Sequence, residues 1–262
     1  MAEGKDAVRL AFEGPIAIIS YHRPEKHNAF SDAMDARLFE ILQQLHGREG
    51  LRAVVWRGEG ASFSSGRDTG ELGQREEGLS DLDFIERGHR GSQRFLDLPA
   101  PILVALKGWV IGGSLERALL CDVRVAGAGA KLRLPELQHG VAPDSGGTAR
   151  LFQMAGHGVA ADLALSGRVM GAEEALRHGI VSRVVPDAEL DAHVMDMARQ
   201  IAAQSPFAVR IFLRTLRRMA NPLVQQSLAE EALAQSLVFG SEDYAEQRAA
   251  RAEGRDPVYR NR

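Results

Sequence analysis

The chain of 262 residues carries a single cysteine, which excludes an intrachain disulfide framework and a thiolate cluster for zinc. No apolar run approaches the ~20 residues that cross a bilayer, and Pro101 to Leu106 is among the longest. The first ten residues, MAEGKDAVRL, lack the apolar stretch of a secretory signal and the Arg/Ser bias of a transit peptide. A cytoplasmic protein with no membrane partner is therefore expected. Positive charge is not in excess either. Thirty-two Lys plus Arg face 35 Asp plus Glu, a net charge of −3, which argues against nucleic acid as the main partner. Several common catalytic signatures are missing as well. There is no Walker A pattern, no GxGxxG after a strand and no GxSxG elbow, and the eight histidines show no HExxH spacing, so no metal site is expected.

Glycine, by contrast, is in surplus: 27 in 262 residues, about 10% against an average near 7%. The length fits one large α/β unit, and 45% hydrophobic with 26% charged residues is ordinary globular composition. A chain of this size buries roughly 70–75% of the surface its unfolded form exposes, enough for a core without staples.

Val8 to Phe12 and Ile16 to Tyr21 are β-rich runs separated by Glu13-Gly14-Pro15, which predicts a hairpin. Ser31 is a predicted N-cap for a helix through Met34, Leu38, Ile41, Leu42 and Leu45 that ends at Gly47 and Gly50. Ala53 to Trp56 is a buried-strand candidate, followed by a polar loop from Arg57 to Gly73 with glycines at 58, 60, 66, 70 and 73. A helix from Ser80 to about Leu96, a strand from Pro101 to Leu106, a helix from Ser114 to Leu120 and a strand from Val123 to Ala126 come next. The stretch Leu132 to Gly147 reads as irregular, Glu173 to His178 as a helix closed by Gly179, and Ile180 to Val185 as the last strand. From Asp187 the chain reads as helical, punctuated by Pro206 and Pro222. The pattern predicts an α/β core with an appended helical segment and shows no internal repeat.

Two glycine-rich places share a design. Phe63 to Asp68 and Gly108 to Glu116 each place small residues where a strand ends. Such turns leave backbone N–H groups free to converge on one point, as in an oxyanion hole, although each is equally compatible with a plain tight turn. The second also opens a helix, whose dipole favours negative charge there. Glu116 lies one helical turn beyond Gly113, where it could face a group held at the Gly113 amide or pair with Arg117 or Arg124 on a solvated face. Glu136 and Asp144 each follow a proline in the irregular stretch, and three acids close to glycine-rich turns make a general acid/base arrangement worth testing. Cys121, in an apolar run, reads as core packing rather than as a nucleophile.

Taken together, these segments resemble the enoyl-CoA hydratase/isomerase (crotonase) superfamily over nearly the whole chain. Arg23 to Ala29 looks like the family's RPxxxNA segment, and Ser65-Gly66-Arg67-Asp68 like its first oxyanion-hole loop. Gly108 to Glu116 resembles the GxxxGGGxE segment, and Leu134 to Thr148 the segment bearing the second glutamate. Gly167-Arg168, Ala172 to Ala175 and Gly179 to Val181 resemble a downstream stretch. Arg255-Asp256-Pro257 and Pro143-Asp144-Ser145 look most like the carnitinyl-CoA dehydratase branch.

The resemblance implies an α/β spiral of ββα units over residues 1–195 and a helical trimerisation segment over 196–262, in a homotrimer or a homohexamer built as a dimer of trimers. It implies an acyl-CoA thioester as substrate, with no metal or redox cofactor because coenzyme A is part of the substrate. The thioester oxygen would lie between the amides of Arg67 and Gly113, and Glu116 and Glu136 match the two hydratase glutamates. Lys26, Ala29, Ser65, Gly66, Asp68, Thr69 and Gly112 would contact substrate. Asp144, an acid where simple hydratases often have glycine, keeps an enoyl- or dienoyl-CoA isomerase as the alternative to a hydratase. Ser114 stands where the family often has a third glycine, and Arg117 where an apolar residue is common. A catalytically idle acyl-CoA-binding or RNA-associated protein is the alternative of another class, and the near-neutral charge speaks against it.

Overall fold

A computed structural model describes residues 6–71 and 78–262; Gly73 of the glycine-rich loop lies outside the described residues. Strands β1 (Val8–Glu13) and β2 (Ile16–Tyr21) form the expected antiparallel hairpin, with Gly14 at φ 57° in its turn. Helix α1 (Asp32–His46) is capped by the Ser31 side chain, which accepts the Met34 N–H. Then come β3 (Ala53–Gly58), α2 (Asp81–Asp97, capped by Ser80), β4 (Ile102–Leu106), β5 (Trp109–Ile111) and α3 (Gly113–Leu120). They are followed by β6 (Val123–Gly127), β7 (Lys131–Arg133), α4 (Gly147–Ser166), β8 (Met170–Gly171), α5 (Ala172–Arg177) and β9 (Arg183–Val185). Helices α6 (Leu190–Ala202), α7 (Pro206–Phe239) and α8 (Glu242–Glu253) complete the order.

The larger sheet runs β1-β2-β3-β4-β6-β9, parallel throughout except for the hairpin pair. A smaller sheet runs β5-β7-β8. Successive ββα units therefore split between two sheets: β4 and β6 enter the large one, while their partners β5 and β7 pair with each other. Side chains alternate across each strand. Val54 and Trp56 of β3 face a core shared with Leu38, Ile41 and Leu42 of α1, Phe95 of α2 and Leu115 of α3. Ala53 and Val55 face the opposite side, which Leu190, Val194 and Ala198 of α6 cover. Both faces of the parallel sheet are thus buried, which explains its continuous apolar strands.

Three expectations change in detail. The segment expected to be irregular contains β7 and a 3₁₀ turn over Glu136–His139. The last strand begins only at Arg183, because the amides of Ile180 and Val181 both turn back to the Ala175 carbonyl around Gly179. Pro206 opens α7 at its first turn as expected, yet Pro222 does not interrupt it. Gln153 donates to the Ala220 carbonyl and Arg150 to the Asn221 side chain, so α4 braces α7 where a backbone bond is lost. The helical tail lies on its own chain: Val224 and Leu228 of α7 join the main core, and Arg217 ties α7 to Asp122 with bonds of 3.0 and 2.7 Å. Among the described residues no helix is long and apolar enough to cross a membrane.

Candidate active site

The RPxxxNA segment acts as a cradle. His27 and Asn28 take left-handed backbone, at φ 49° and 55°, which turns the chain sharply. The buried Asn28 side chain donates to the carbonyls of Glu59 and Ser62 and accepts the Arg23 amide. Ser64 donates to the Asn28 carbonyl, and the Ser65 amide donates to the His27 carbonyl. The first glycine-rich loop is therefore fixed from below before any ligand arrives.

Within that loop Phe30 and Arg67 form an isolated parallel bridge. Phe30 donates to the Gly66 carbonyl at 2.9 Å, and Asp68 donates to the Phe30 carbonyl at 2.8 Å. This pattern turns the Arg67 amide away from Phe30, and among the described residues it meets no acceptor. Gly66, at φ 86°, passes so close to β5 that a β-carbon there would lie 2.8 Å from the Ile111 carbonyl oxygen. The second loop starts α3 at Gly113, whose amide is one of the orphan donors of a helix N-terminus. Ser114 bridges the two loops, donating to Ser64 at 2.7 Å. The hydroxyl that replaces the family's third glycine thus locks one amide's loop to the other.

Both amide-bearing residues line a cavity of about 490 Å³. Ser65, Gly66, Thr69, Gly112, Glu116, Glu136 and Asp144 line it too. Lys26, Ala29 and Asp68 do not line it. Asp68 instead pairs with Arg23 at 2.8 Å and Lys26 at 3.3 Å, and the Ala29 carbonyl accepts from Arg23. These contacts help to hold the first loop. The Arg67 side chain turns to Asp32 at 2.6 Å.

Glu116 is only 1% exposed, so the solvated-face reading fails. Arg117 pairs with Asp35 through two bonds of 2.6 and 2.8 Å, and Arg124 donates to the Ile180 and Cys121 carbonyls. The Glu116 carboxylate accepts the Asp144 and Ser145 amides at 3.3 and 3.1 Å. Burial, then the charges of Glu136, Glu231 and Asp144, push its pKa well above the carboxylate range, against the pull of the Ser145 amide. Glu136 lies beside Gly112, where a β-carbon would come 2.8 Å from its Oε1. Its Oε2 is buried and has no hydrogen-bond partner among the described residues. Burial raises the Glu136 pKa to about 7, with Asp144 adding to the effect and Arg133 opposing it. Both glutamates therefore hold a proton more readily than a free carboxyl does. Cys121 is buried and its thiol is pushed up by desolvation, in keeping with core packing.

Residues from the tail complete the cavity: Gln235, Phe239 and Tyr244 line it, and Glu231 reaches the Gly146 amide at 2.8 Å. Sequence reasoning passed over them. The available signal was a change of character along one helix face, Val224, Leu228, Glu231, Gln235, where an apolar stripe at helical spacing turns polar.

This arrangement, in this fold, defines a crotonase-type protein: the chain belongs to the enoyl-CoA hydratase/isomerase family, whose sequence model matches residues 11–262. Among its relatives, carnitinyl-CoA dehydratase of Escherichia coli O157:H7 is 33% identical, spanning 98% of this chain and 99% of that protein. The enzyme of the same name from Salmonella heidelberg is 32% identical over 98% of this chain and 99% of the relative. Among solved structures, enoyl-CoA hydratase/isomerase from Pseudoalteromonas atlantica superposes with a TM-score of 0.87 at 28% identity, covering 97% of this chain and 100% of that one.

Proposed function

We propose that the protein is a hydro-lyase that adds water to a 2-enoyl-CoA thioester or removes it in reverse. The observation that carries this reading is the pairing of a buried glutamate, Glu116, and a half-buried one, Glu136, with the amides of Arg67 and Gly113, which meet no acceptor among the described residues, in one cavity. With the thioester oxygen between those amides, negative charge that develops there is met by two fixed donors. One glutamate takes a proton from water as its oxygen bonds to Cβ, and the electron pair moves to the thioester oxygen as an enolate. The other glutamate gives its proton to Cα, and the enolate collapses. Net, one water is consumed and the pair again holds one proton and one charge. Both proton positions are side chains, so the reading needs no resident cofactor. The relatives named carnitinyl-CoA dehydratase support the dehydration direction.

Asp144 lining the same cavity supports a second reading, double-bond isomerisation, in which Glu136 and Asp144 move the proton. For assembly, α7 leaves Phe207, Phe212, Met219, Leu233 and Leu237 exposed, an apolar surface that supports the expected trimer or hexamer.

Loss of enoyl-thioester absorbance with short and medium 2-enoyl-CoA substrates tests the hydratase. Glu116→Gln and Glu136→Gln should each lower kcat by about 10²- to 10⁴-fold. No turnover at any chain length, with CoA thioesters still binding, would sink it. Isomerase activity that survives Glu116→Gln and disappears in Glu136→Gln would establish the second reading instead.

A further inference from the structure

The loop that holds Glu116 is itself held from the C-terminal helix. At one end of the loop, Ala142 donates its amide to Gln235 Oε1 at 3.0 Å. At the other, Gly146 donates to Glu231 Oε2 at 2.8 Å. The amides that reach Glu116, those of Asp144 and Ser145, lie between these two anchors. Glu231 and Gln235 stand four residues apart, so they share a face of α7. Ser227, one turn earlier, donates to Glu231 Oε1 at 2.6 Å and fixes the carboxylate. Gln235 is 2% exposed. Gly146, at φ 79°, brings the loop close to the same helix, where a β-carbon would lie 3.0 Å from Val224 Cγ1.

Packing alone does not account for this. Val224 and Leu228 cover the core on the same stripe, and apolar residues one and two turns later would extend it at lower desolvation cost. Instead a carboxylate and an amide stand there, each spent on one backbone N–H.

We propose that Glu231 and Gln235 are positioning residues for Glu116: α7 sets the backbone of 142–146, and the middle amides of that loop set the carboxylate. The proposal rests on the hydratase reading of the site. Amide donors favour the ionised form of Glu116, which must accept a proton from water. A loop that drifts withdraws those donors and leaves a buried acid in its neutral form. The charged groups facing Glu116 are Glu136 from the 3₁₀ turn, Asp144 from the loop, Glu231 from α7 and Arg117 beside it on α3, while the His89 ring meets the Asp144 carbonyl. The thioester-binding amides of Arg67 and Gly113 belong to other elements, so substrate affinity should be insulated from the change.

The test compares full-length Glu231→Ala, Glu231→Gln and Gln235→Ala with wild type, by steady-state kinetics across pH on a 2-enoyl-CoA and by thermal melts. Glu231→Ala should lower kcat about 10- to 100-fold with KM almost unchanged. Glu231→Gln keeps an acceptor for Gly146 and should recover most of kcat, while the Glu116 limb moves to lower pH because a neighbouring negative charge is gone. Gln235→Ala should lower kcat in the same sense. A wild-type kcat and pH profile in Glu231→Ala overturns the proposal. So does a loss that Gln fails to rescue and that tracks a lower melting temperature. If wild type turns over no 2-enoyl-CoA, the hydratase reading fails separately. Infrared titration of the buried carboxyls, with Glu116→Gln identifying the Glu116 band, then decides this one: Glu231→Ala and Glu231→Gln both lack the charge, so a Glu116 band that titrates identically in the two overturns it.

Discussion

Gly147 lies directly against Glu116: a β-carbon at position 147 would sit 2.4 Å from the Glu116 Cα, with its Cβ equally near. The atoms met are backbone and the root of a buried side chain, so neither can swing aside. Helices α3 and α4 are therefore held at a separation that only glycine permits, and that separation sets where the glutamate emerges. Gly147→Ala should destabilise the fold by about 1–3 kcal/mol through overpacking. It should also lower kcat, because the backbone that carries the Glu116 carboxylate is displaced. A melt and a kinetic profile on one preparation check both.

The raised proton affinity of Glu136 makes stability depend on pH. Its pKa rises from 4.5 to about 7 on folding, so the folded state binds the proton more tightly than the unfolded chain. Stability from this group is whole below pH 4.5, declines as pH rises, and is lost above about 7. At 1.36 kcal/mol per pKa unit the full cost is about 3 kcal/mol. Glu136→Gln should abolish this decline, so the inactive variant melts higher than wild type at pH 8 and equals it near pH 4.5. Denaturant unfolding at several pH values gives the answer, and parallel curves would refute it.

Arg117 and Asp35 form a bidentate pair with side chains 6% and 13% exposed, against the Phe30 and Phe39 rings. Removing one partner strands the other charge in the core. Asp35→Ala should cost about 3–5 kcal/mol, whereas replacing Arg117 with Met and Asp35 with Leu together should restore most of the loss. Equal destabilisation in the single and double variants, read from equilibrium unfolding, would contradict this account.

Local signals in the sequence were sufficient for the elements they govern. The hairpin turn at Gly14, the caps at Ser31 and Ser80, and the buried strand at Ala53 depend on neighbours a few residues away, and each is found near its expected place. One misjudged element depends on a distant partner, and the other on a turn whose hydrogen bonds residue type does not announce. Pro222 could not end α7 because α4 braces it from some 70 residues earlier in the chain, and Ile180 left the last strand because Gly179 folds it back on α5. Glu116 taken alone read as surface decoration, and only its burial in the folded chain decides against that.

What the sequence by itself determined is the inventory: two glycine-rich turns after strands, three acids beside them, one cysteine without a partner, and the family to which this order of segments belongs. Those properties reside in residue type and short spacing, which chemistry reads directly. The tertiary structure alone decided which groups meet. It tied Ala29 and Asp68 to Arg23, joined the two loops through Ser114 and Ser64, and brought Glu231 and Gln235 to a loop about 90 residues away. Burial, and the energies that follow from it, depend on what the rest of the chain packs around a side chain, and no local pattern carries that information.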